Sequence, residues 1–189
     1  MGVAASLDGL FLHGNTDLGI LRAALEREGI PDTLIESRMS HIVERMCSEV
    51  LRNREQMHPE LCPSICDLIS YLAARGKLLA VASGNLEPIG WAKLQKAGIR
   101  QSFSFGSFAW PRESRAEIFK HGVSWARERL GQSANVCVIG DTPADVDAAR
   151  AAGINIIVLA TGIYDFAELR AAQPDACCTS ALDLLTLQV

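Results

Sequence analysis

Two carboxylates follow an apolar segment of the chain, at a position where side chains often do chemistry. Residues 136–139 are apolar and lead through Gly140 into Asp141, and Asp145 follows four positions later on a helical pattern. Ligands of open parallel sheets bind beyond the carboxyl ends of the strands. A carboxylate at the end of a buried strand must be solvated, paired or bound to a metal. Because Mg²⁺ prefers one or two carboxylates together with waters and phosphate oxygens, Asp141 and Asp145 are predicted metal ligands.

Asp145 also has a purely structural interpretation. Thr142 is a good N-cap residue, Pro143 suits the first helical position, and Asp145 then stands third, as in an acidic capping box. Asp145 is therefore expected to stabilise the helix start as well as any metal. Asp141 has no such structural role in the pattern.

Two other segments place polar groups near strand ends. Ser83, Gly84 and Asn85 directly follow an apolar run, so their hydroxyl and backbone N–H groups could hold an anion, or form only a turn with a helix cap. Arg115 lies near the start of a helical pattern, where a cation opposes the helix dipole. It belongs either to a solvated face or to a site in which it neutralises a phosphate between the Ser83 turn and the metal.

To lie at strand ends, these polar side chains need strands that alternate with helices, and the sequence shows that alternation. The alternation predicts a parallel sheet with helices on both faces, an α/β fold. Ser83 and Asp141 are expected at the same edge of that sheet. The apolar pattern of residues 1–60 is different and predicts helices. Apolar runs that predict strands lie near 78–82, 103–108, 136–139, 155–160 and 175–180, and helical patterns lie near 86–98, 114–130 and 145–152.

Along the chain, a hydroxyl turn after a strand at Ser83, a cation at Arg115 and a GDxxxD sequence after a strand at Asp141 follow one another. In that order, they resemble the motifs of the haloacid dehalogenase-like hydrolase superfamily, in its phosphoglycolate-phosphatase-like branch. "ASGNLEPIGWAKLQKAGI" resembles the stretch around the second motif of that superfamily, and "VIGDTPADVDAARAAGINIIVLATGIY" resembles the fourth. "HGNTDLGIL" is similar to a segment of the helical cap. The resemblance implies a Rossmann-like core over residues 61–189 and a small, incomplete helical cap over residues 1–60.

The resemblance also implies roles for the residues above. Ser83, with Gly84 and Asn85, would bind phosphate. Arg115, where most relatives have lysine, would balance the charge of the phosphate and the nucleophile. Asp141 would bind Mg²⁺, with Asp145 supporting it.

The nucleophile of the superfamily, the first aspartate of a DxDG motif, has no counterpart here. The nearest text is "SLDG", with Ser6 and Asp8. In one interpretation the motif is degenerate: Ser6 replaces the nucleophile, Asp8 keeps the acid–base position, and "MGVAA" forms a short central strand. In the other, which we favour, Asp8 lies in a cap loop and the segment with the motif is missing, which would leave two strand edges unpaired.

Both interpretations predict negligible turnover, because an aspartyl-phosphate cannot form in the manner of the superfamily. The leading hypothesis is a phosphatase scaffold that, when complete, hydrolyses small phosphate monoesters with Mg²⁺. The alternative is a non-catalytic protein that binds a phosphorylated ligand or regulates a partner. Dehalogenase chemistry is disfavoured, since it needs the same aspartate and no magnesium platform.

Composition and charge argue against several classes of partner and cellular location. The 189 residues carry a formal charge of −4, which argues against a nucleic-acid partner. No apolar run reaches the roughly 18 residues of a membrane span, and the N-terminus lacks the pattern of a secretory signal. The six cysteines form no regular framework, so a cytoplasmic protein is expected. The expected partner is a small phosphorylated metabolite, and the sequence does not indicate an oligomeric state.

Overall fold

A computed structural model of the chain describes residues 5–10 and 12–186. Helices and strands alternate after a helical N-terminal third. The elements in chain order are α1 (Asp17–Arg27), α2 (Asp32–Arg52), α3 (Ile65–Ala74), β1 (Ala80–Leu86), α4 (Glu87–Lys96), β2 (Phe105–Ala109), α5 (Arg115–Leu130), β3 (Cys137–Gly140), α6 (Pro143–Ala152), β4 (Asn155–Leu159), α7 (Phe166–Ala171), β5 (Ala176–Cys178) and α8 (Ala181–Thr186).

The strands confirm the predicted α/β class but lie in two sheets rather than one. β1 pairs with β2, and β3, β4 and β5 pair in that order, with every pair parallel. Among the described residues, no strand pairs with the second edge of β1 or with that of β3. An unpaired edge leaves backbone N–H and C=O groups without ladder partners. Ile139 on the edge strand β3 is 38% exposed, although strands of parallel sheets are usually buried on both faces.

The strand that precedes the Ser-Gly-Asn sequence is longer than predicted. The sequence suggested a turn after Ser83, but β1 continues to Leu86. Ser83 pairs with Phe108 and Leu86 pairs with Ala109, so the register shifts between them. The carboxylate of Asp17 accepts a hydrogen bond from the backbone N–H of Leu86 at 2.8 Å. This long-range contact, which the local sequence does not reveal, helps hold the polar residues in a bulged strand end.

The helical patterns after β1 are confirmed with small changes of boundary. α5 begins with a capping box formed by Ser114 and Glu117, and it buries Phe119 and Val123, whereas Leu130 at its end is 58% exposed. α6 begins at Pro143, two residues before the predicted start.

The N-terminal helices share their core with the α/β part. Leu18 of α1 and Ile35 of α2 belong to the same buried cluster as Leu86, Ile118 and Val158. The division at residue 60 therefore remains a prediction. In the described part of the chain, no helix is both long and apolar enough to span a membrane.

Candidate functional site

The first turn of α6 is built around the buried carboxylate of Asp145, which is 3% exposed. Its Oδ2 atom accepts hydrogen bonds from the backbone N–H of Asp141 at 3.2 Å and from the N–H and hydroxyl groups of Thr142 at 3.1 and 2.8 Å. The backbone N–H of Asp145 donates in return to the Thr142 hydroxyl. The capping box inferred from the sequence is therefore present, with Pro143 in the first turn.

Arg115 supplies the positive charge beside this carboxylate. It is the first residue of α5, and its guanidinium donates to Asp145 Oδ1 at 2.7 Å and to the carbonyl oxygen of Gly14 at 3.2 Å. The side chains of Arg115 and Asp145 are 20% and 4% exposed, so water screens this ion pair weakly. A guanidinium has five N–H donors, and the others on Arg115 have no partner among the described residues.

Asp141 is the carboxylate that this network leaves available. Its side chain is half-buried, and no other described residue donates a hydrogen bond to its oxygens. Burial, and secondly the neighbouring Asp145, raises the pKa of Asp141 above its ordinary value, while Arg115 partly offsets the increase. A Cβ atom at Gly162 would lie 2.6 Å from Asp141 Oδ2, so the loop after β4 packs closely against this carboxylate.

The donor set fits Mg²⁺ through a single carboxylate. Both oxygens of Asp145 are already bonded to Arg115 and to the turn, whereas those of Asp141 are available. Among the described residues, no cluster of three histidine, cysteine, aspartate or glutamate side chains could hold a metal ion. Since Mg²⁺ is often bound by one or two carboxylates with waters and phosphate oxygens, Asp141 fits as one ligand of a weak site.

The predicted phosphate-binding residues Ser83 and Asn85 form a separate group. The Ser83 hydroxyl accepts from the backbone N–H of Asn85 at 3.2 Å. The Asn85 amide donates to Asp17 at 3.0 Å and accepts from Lys93 at 3.0 Å. Ser83, Asn85 and Lys93 line a cavity of about 220 Å³ between β1, α4 and residues 59–61, and neither Arg115 nor Asp141 lines it.

The segment Gly14–Asn15–Thr16 lies between the two groups. A Cβ atom at Gly84 would lie 2.8 Å from the carbonyl oxygen of Asn15 and 3.0 Å from Thr16 Cα. A Cβ atom at Gly14 would lie 3.1 Å from the Cβ atom of Ala144, on the first turn of α6. The end of β1 and the start of α6 thus flank one short segment, which supports the prediction that Ser83 and Asp141 lie at the same edge.

Asp8 lies elsewhere, on an exposed turn. The Ser6 hydroxyl donates to Asp8 Oδ2 at 2.8 Å, and Arg27 donates to the carbonyl oxygens of Asp8 and Ser6. Arg27 ends the 11-residue helix α1, whose other end is capped by Thr16. Among the described residues, neither Ser6 nor Asp8 has a hydrogen bond or ion pair with Arg115, Asp141 or Asp145. The structure thus shows no contact of Asp8 with the predicted site residues Arg115 and Asp141. Residues 1–4, which the alternative interpretation assigned to a central strand, lie outside the described residues.

Sequence reasoning missed several residues that build the site. Gly14 and Thr16 could have been suspected from "GNTD", since threonine before an acidic first turn is a typical N-cap. Gly162 and Lys93 gave no local signal. Their roles depend on the approach of segments that are distant in sequence.

Comparisons with known proteins agree with this arrangement. A profile of the family described as haloacid dehalogenase-like hydrolase matches residues 11–153. A phosphoglycolate phosphatase of Synechococcus elongatus is 34% identical over 126 residues, which are 67% of this chain and 58% of that protein. The chain thus spans less than two thirds of the length of this curated relative.

Solved structures share the fold. CbbY from Rhodobacter sphaeroides, in complex with phosphate, matches with a TM-score of 0.62 and 22% identity, over 90% of this chain and 75% of that one. A predicted phosphoglycolate phosphatase from Haemophilus somnus matches with a TM-score of 0.62 and 19% identity, over 88% and 72% of the two chains. With the profile match over most of its length, and with parallel strands that lead into the Asp141–Asp145 turn, the chain belongs to the haloacid dehalogenase-like hydrolases, in the phosphoglycolate-phosphatase-like branch.

Proposed function

We propose that this chain carries the phosphate and Mg²⁺ site of a phosphatase for small phosphate monoesters. The observation that carries the proposal is the juxtaposition of Asp141, whose carboxylate accepts no hydrogen bond from another described residue, with Arg115, which keeps unbonded N–H groups. An anion held by Arg115 and a cation held by Asp141 would lie side by side. The substrate class is therefore a small phosphorylated metabolite, and Mg²⁺ is the cofactor.

Each residue has a distinct role in this proposal. Arg115 binds and orients a phosphate oxygen, because a guanidinium donates two parallel hydrogen bonds to such groups. Asp141 holds the metal, and Asp145 keeps Arg115 and the backbone of Asp141 in place. Mg²⁺, when bound, supplies charge neutralisation at the phosphoryl oxygens. Ser83, Gly84 and Asn85 remain proposed phosphate-binding residues, but residues 14–16 lie between them and Arg115, so they would hold a phosphate in the cavity beside Lys93 and not the one at Arg115.

The turnover of this chain on phosphate esters is proposed to be negligible. The superfamily resemblance requires an aspartate nucleophile, and Ser6 and Asp8 lie on an exposed turn that contacts Arg27 and makes no hydrogen bond to Asp141. Asp8 therefore has no catalytic role in this proposal. Positioning and charge stabilisation alone can leave a residual rate. A non-catalytic protein that binds a phosphorylated ligand is the second candidate, because the site keeps its cation and its free carboxylate without the nucleophile.

Binding and turnover must be measured together to test the proposal. Calorimetric titration with Mg²⁺ and inorganic phosphate is expected to show weak binding that Asp141→Asn abolishes. Asp147→Asn is the matched control, because Asp147 is an exposed acid on the same helix, paired with Arg150. Equal loss in both variants, or binding that survives Asp141→Asn, would place the metal elsewhere.

Hydrolysis of a generic phosphate ester, with and without Mg²⁺, completes the test. We expect no turnover above that of the buffer. Rapid Mg²⁺-dependent turnover that Asp141→Ala abolishes would show that the chain is an active phosphatase with an unidentified nucleophile.

A cytoplasmic location is also proposed, because all six cysteines are free thiols, as a reducing compartment favours.

A further inference from the structure

Arg22 of α1 binds the loop that leads into α5. Its Nε–H and one Nη–H donate to the two carboxylate oxygens of Glu113, at 3.1 and 2.7 Å. The same Nη donates to Glu36 of α2 at 2.6 Å. The Arg22 side chain is 20% exposed, and that of Glu113 is 42% exposed. These hydrogen bonds, those with Glu113 first, raise the pKa of Arg22 above its ordinary value.

Glu113 is also held through its backbone. Its carbonyl oxygen accepts a hydrogen bond from the Thr16 hydroxyl at 2.8 Å, and Thr16 is 2% exposed. The same hydroxyl accepts from the backbone N–H of Gly19 and so caps α1. Thus α1 fixes both ends of Glu113, the side chain through Arg22 and the main chain through Thr16.

The residues that follow Glu113 carry this constraint to the site. Ser114 caps α5, and Arg115 is the first residue of the helix. Arg115 also contacts the N-terminal side of α1 directly, through the Gly14 carbonyl oxygen. The position of the Arg115 backbone thus depends on α1 through Glu113, and the side chain of Arg115 donates to Gly14, which lies just before α1. The salt bridge between Arg22 and Glu113 has two parallel hydrogen bonds, and this geometry restricts the orientation of both side chains.

We propose that Arg22 is a positioning residue, which through Glu113 sets the first turn of α5 and thereby directs the Arg115 guanidinium to Gly14 and Asp145. The inference rests on the proposed function for its consequence, since Arg115 is there the cation that binds phosphate. It predicts that breaking the bond between Arg22 and Glu113 loosens Arg115 in the folded protein. Breaking the bond between Arg22 and Glu36 is predicted to have no such effect.

The measurement is hydrogen exchange at the Nε–H group of Arg115, which donates to Gly14. It uses ¹⁵N–¹H spectra of arginine side chains, with the signal assigned from its absence in Arg115→Lys. In Arg22→Met and in Glu113→Gln, this exchange is expected to accelerate about tenfold, the effect of weakening one charge-assisted hydrogen bond. Glu36→Gln is the matched control, because it removes the charge of the other partner of Arg22 and is expected to leave the exchange unchanged.

Three results would overturn the proposal: an unchanged Arg115 signal in folded Arg22→Met, an equal acceleration in Glu36→Gln, or additive effects in the double variant of Arg22 and Glu113. If Arg22→Met does not fold, Glu113→Gln decides, since it keeps the backbone bond to Thr16. The exchange measurement needs no ligand. Failure of the parent protein to bind inorganic phosphate would therefore refute the proposed function while the positioning role is judged separately.

Discussion

Two turns of this protein have almost the same local chemistry and very different surroundings. In the α6 turn, the Thr142 hydroxyl donates to Asp145 and accepts from its backbone N–H. In the N-terminal turn, the Ser6 hydroxyl donates to Asp8 and accepts from its backbone N–H. The first carboxylate is buried and paired with an arginine, whereas the second is exposed.

The comparison shows that a hydroxyl–carboxylate hydrogen bond within a turn is not enough to form a buried, charged site. Asp145 is contacted by Arg115, which lies 30 positions away in sequence, and this ion pair is enclosed between α5 and α6. Asp8 receives backbone contacts from Arg27, but its carboxylate hydrogen-bonds only within its own turn in the described residues. The consequences of mutation should therefore differ between the two turns by an amount set by burial rather than by residue type.

The largest effect is expected from Asp145→Asn. This change leaves the Arg115 guanidinium buried without its carboxylate, and breaking a buried pair in this way costs about 3 kcal/mol of unfolding free energy. Asp8→Asn should leave the unfolding free energy unchanged within error. Urea denaturation of both variants measures the difference. Equal stability of the two variants would mean that the ion pair at α6 contributes nothing to the fold.

A smaller effect is expected from Thr142→Ala, which removes the cap of α6. Loss of an N-cap hydroxyl costs about 1 kcal/mol of unfolding free energy, and here it also removes a donor to buried Asp145. Ser6→Ala, the equivalent change in the exposed turn, is expected to have no measurable effect. The same urea titrations test this pair, and a larger cost for Ser6→Ala would reverse the comparison.

Asp141→Asn is expected to stabilise the protein at neutral pH. Because burial raises the pKa of Asp141 in the folded state, the folded protein binds this proton more readily than the unfolded chain does. Stability therefore falls as pH rises from the ordinary carboxyl pKa through the raised value, and the full penalty persists above it.

The asparagine variant lacks this penalty, so its melting temperature in the absence of Mg²⁺ should rise by about 2 °C at pH 7. Its advantage should vanish at a pH below the ordinary carboxyl pKa. Thermal denaturation across this pH range is the measurement. A destabilised variant at pH 7 would show that the Asp141 carboxylate is paired after all.

The smallest effect is expected from Ser6→Asp, which restores the residue type of the missing nucleophile. Since Ser6 lies on an exposed turn and has no contact with Arg115 or Asp141, the change should leave phosphatase turnover at the buffer rate. An increase of turnover by orders of magnitude would favour the degenerate-motif interpretation and would mean that Ser6 lies close to Asp141.

The sequence by itself determined the elements with strong local patterns. The strand segments near 136–139 and 155–160, the helix α5 and the capping box of α6 all depend on neighbours within a few residues, and the structure confirms them. The partial structural role of Asp145 was readable for the same reason, because Thr142, Pro143 and Asp145 lie within one turn.

Only the tertiary structure decided how these elements meet. It extends β1 to Leu86 through the carboxylate of Asp17, separates Ser83 from Arg115 by the segment around Asn15, and leaves β1 and β3 in different sheets. Each of these features depends on groups that are tens of residues apart, and hydrophobic periodicity carries no information about such pairings. The burial that distinguishes Asp145 from Asp8 has the same origin, since enclosure by other elements, rather than the residue's own neighbours in sequence, removes water from a carboxylate and makes its single arginine partner decisive.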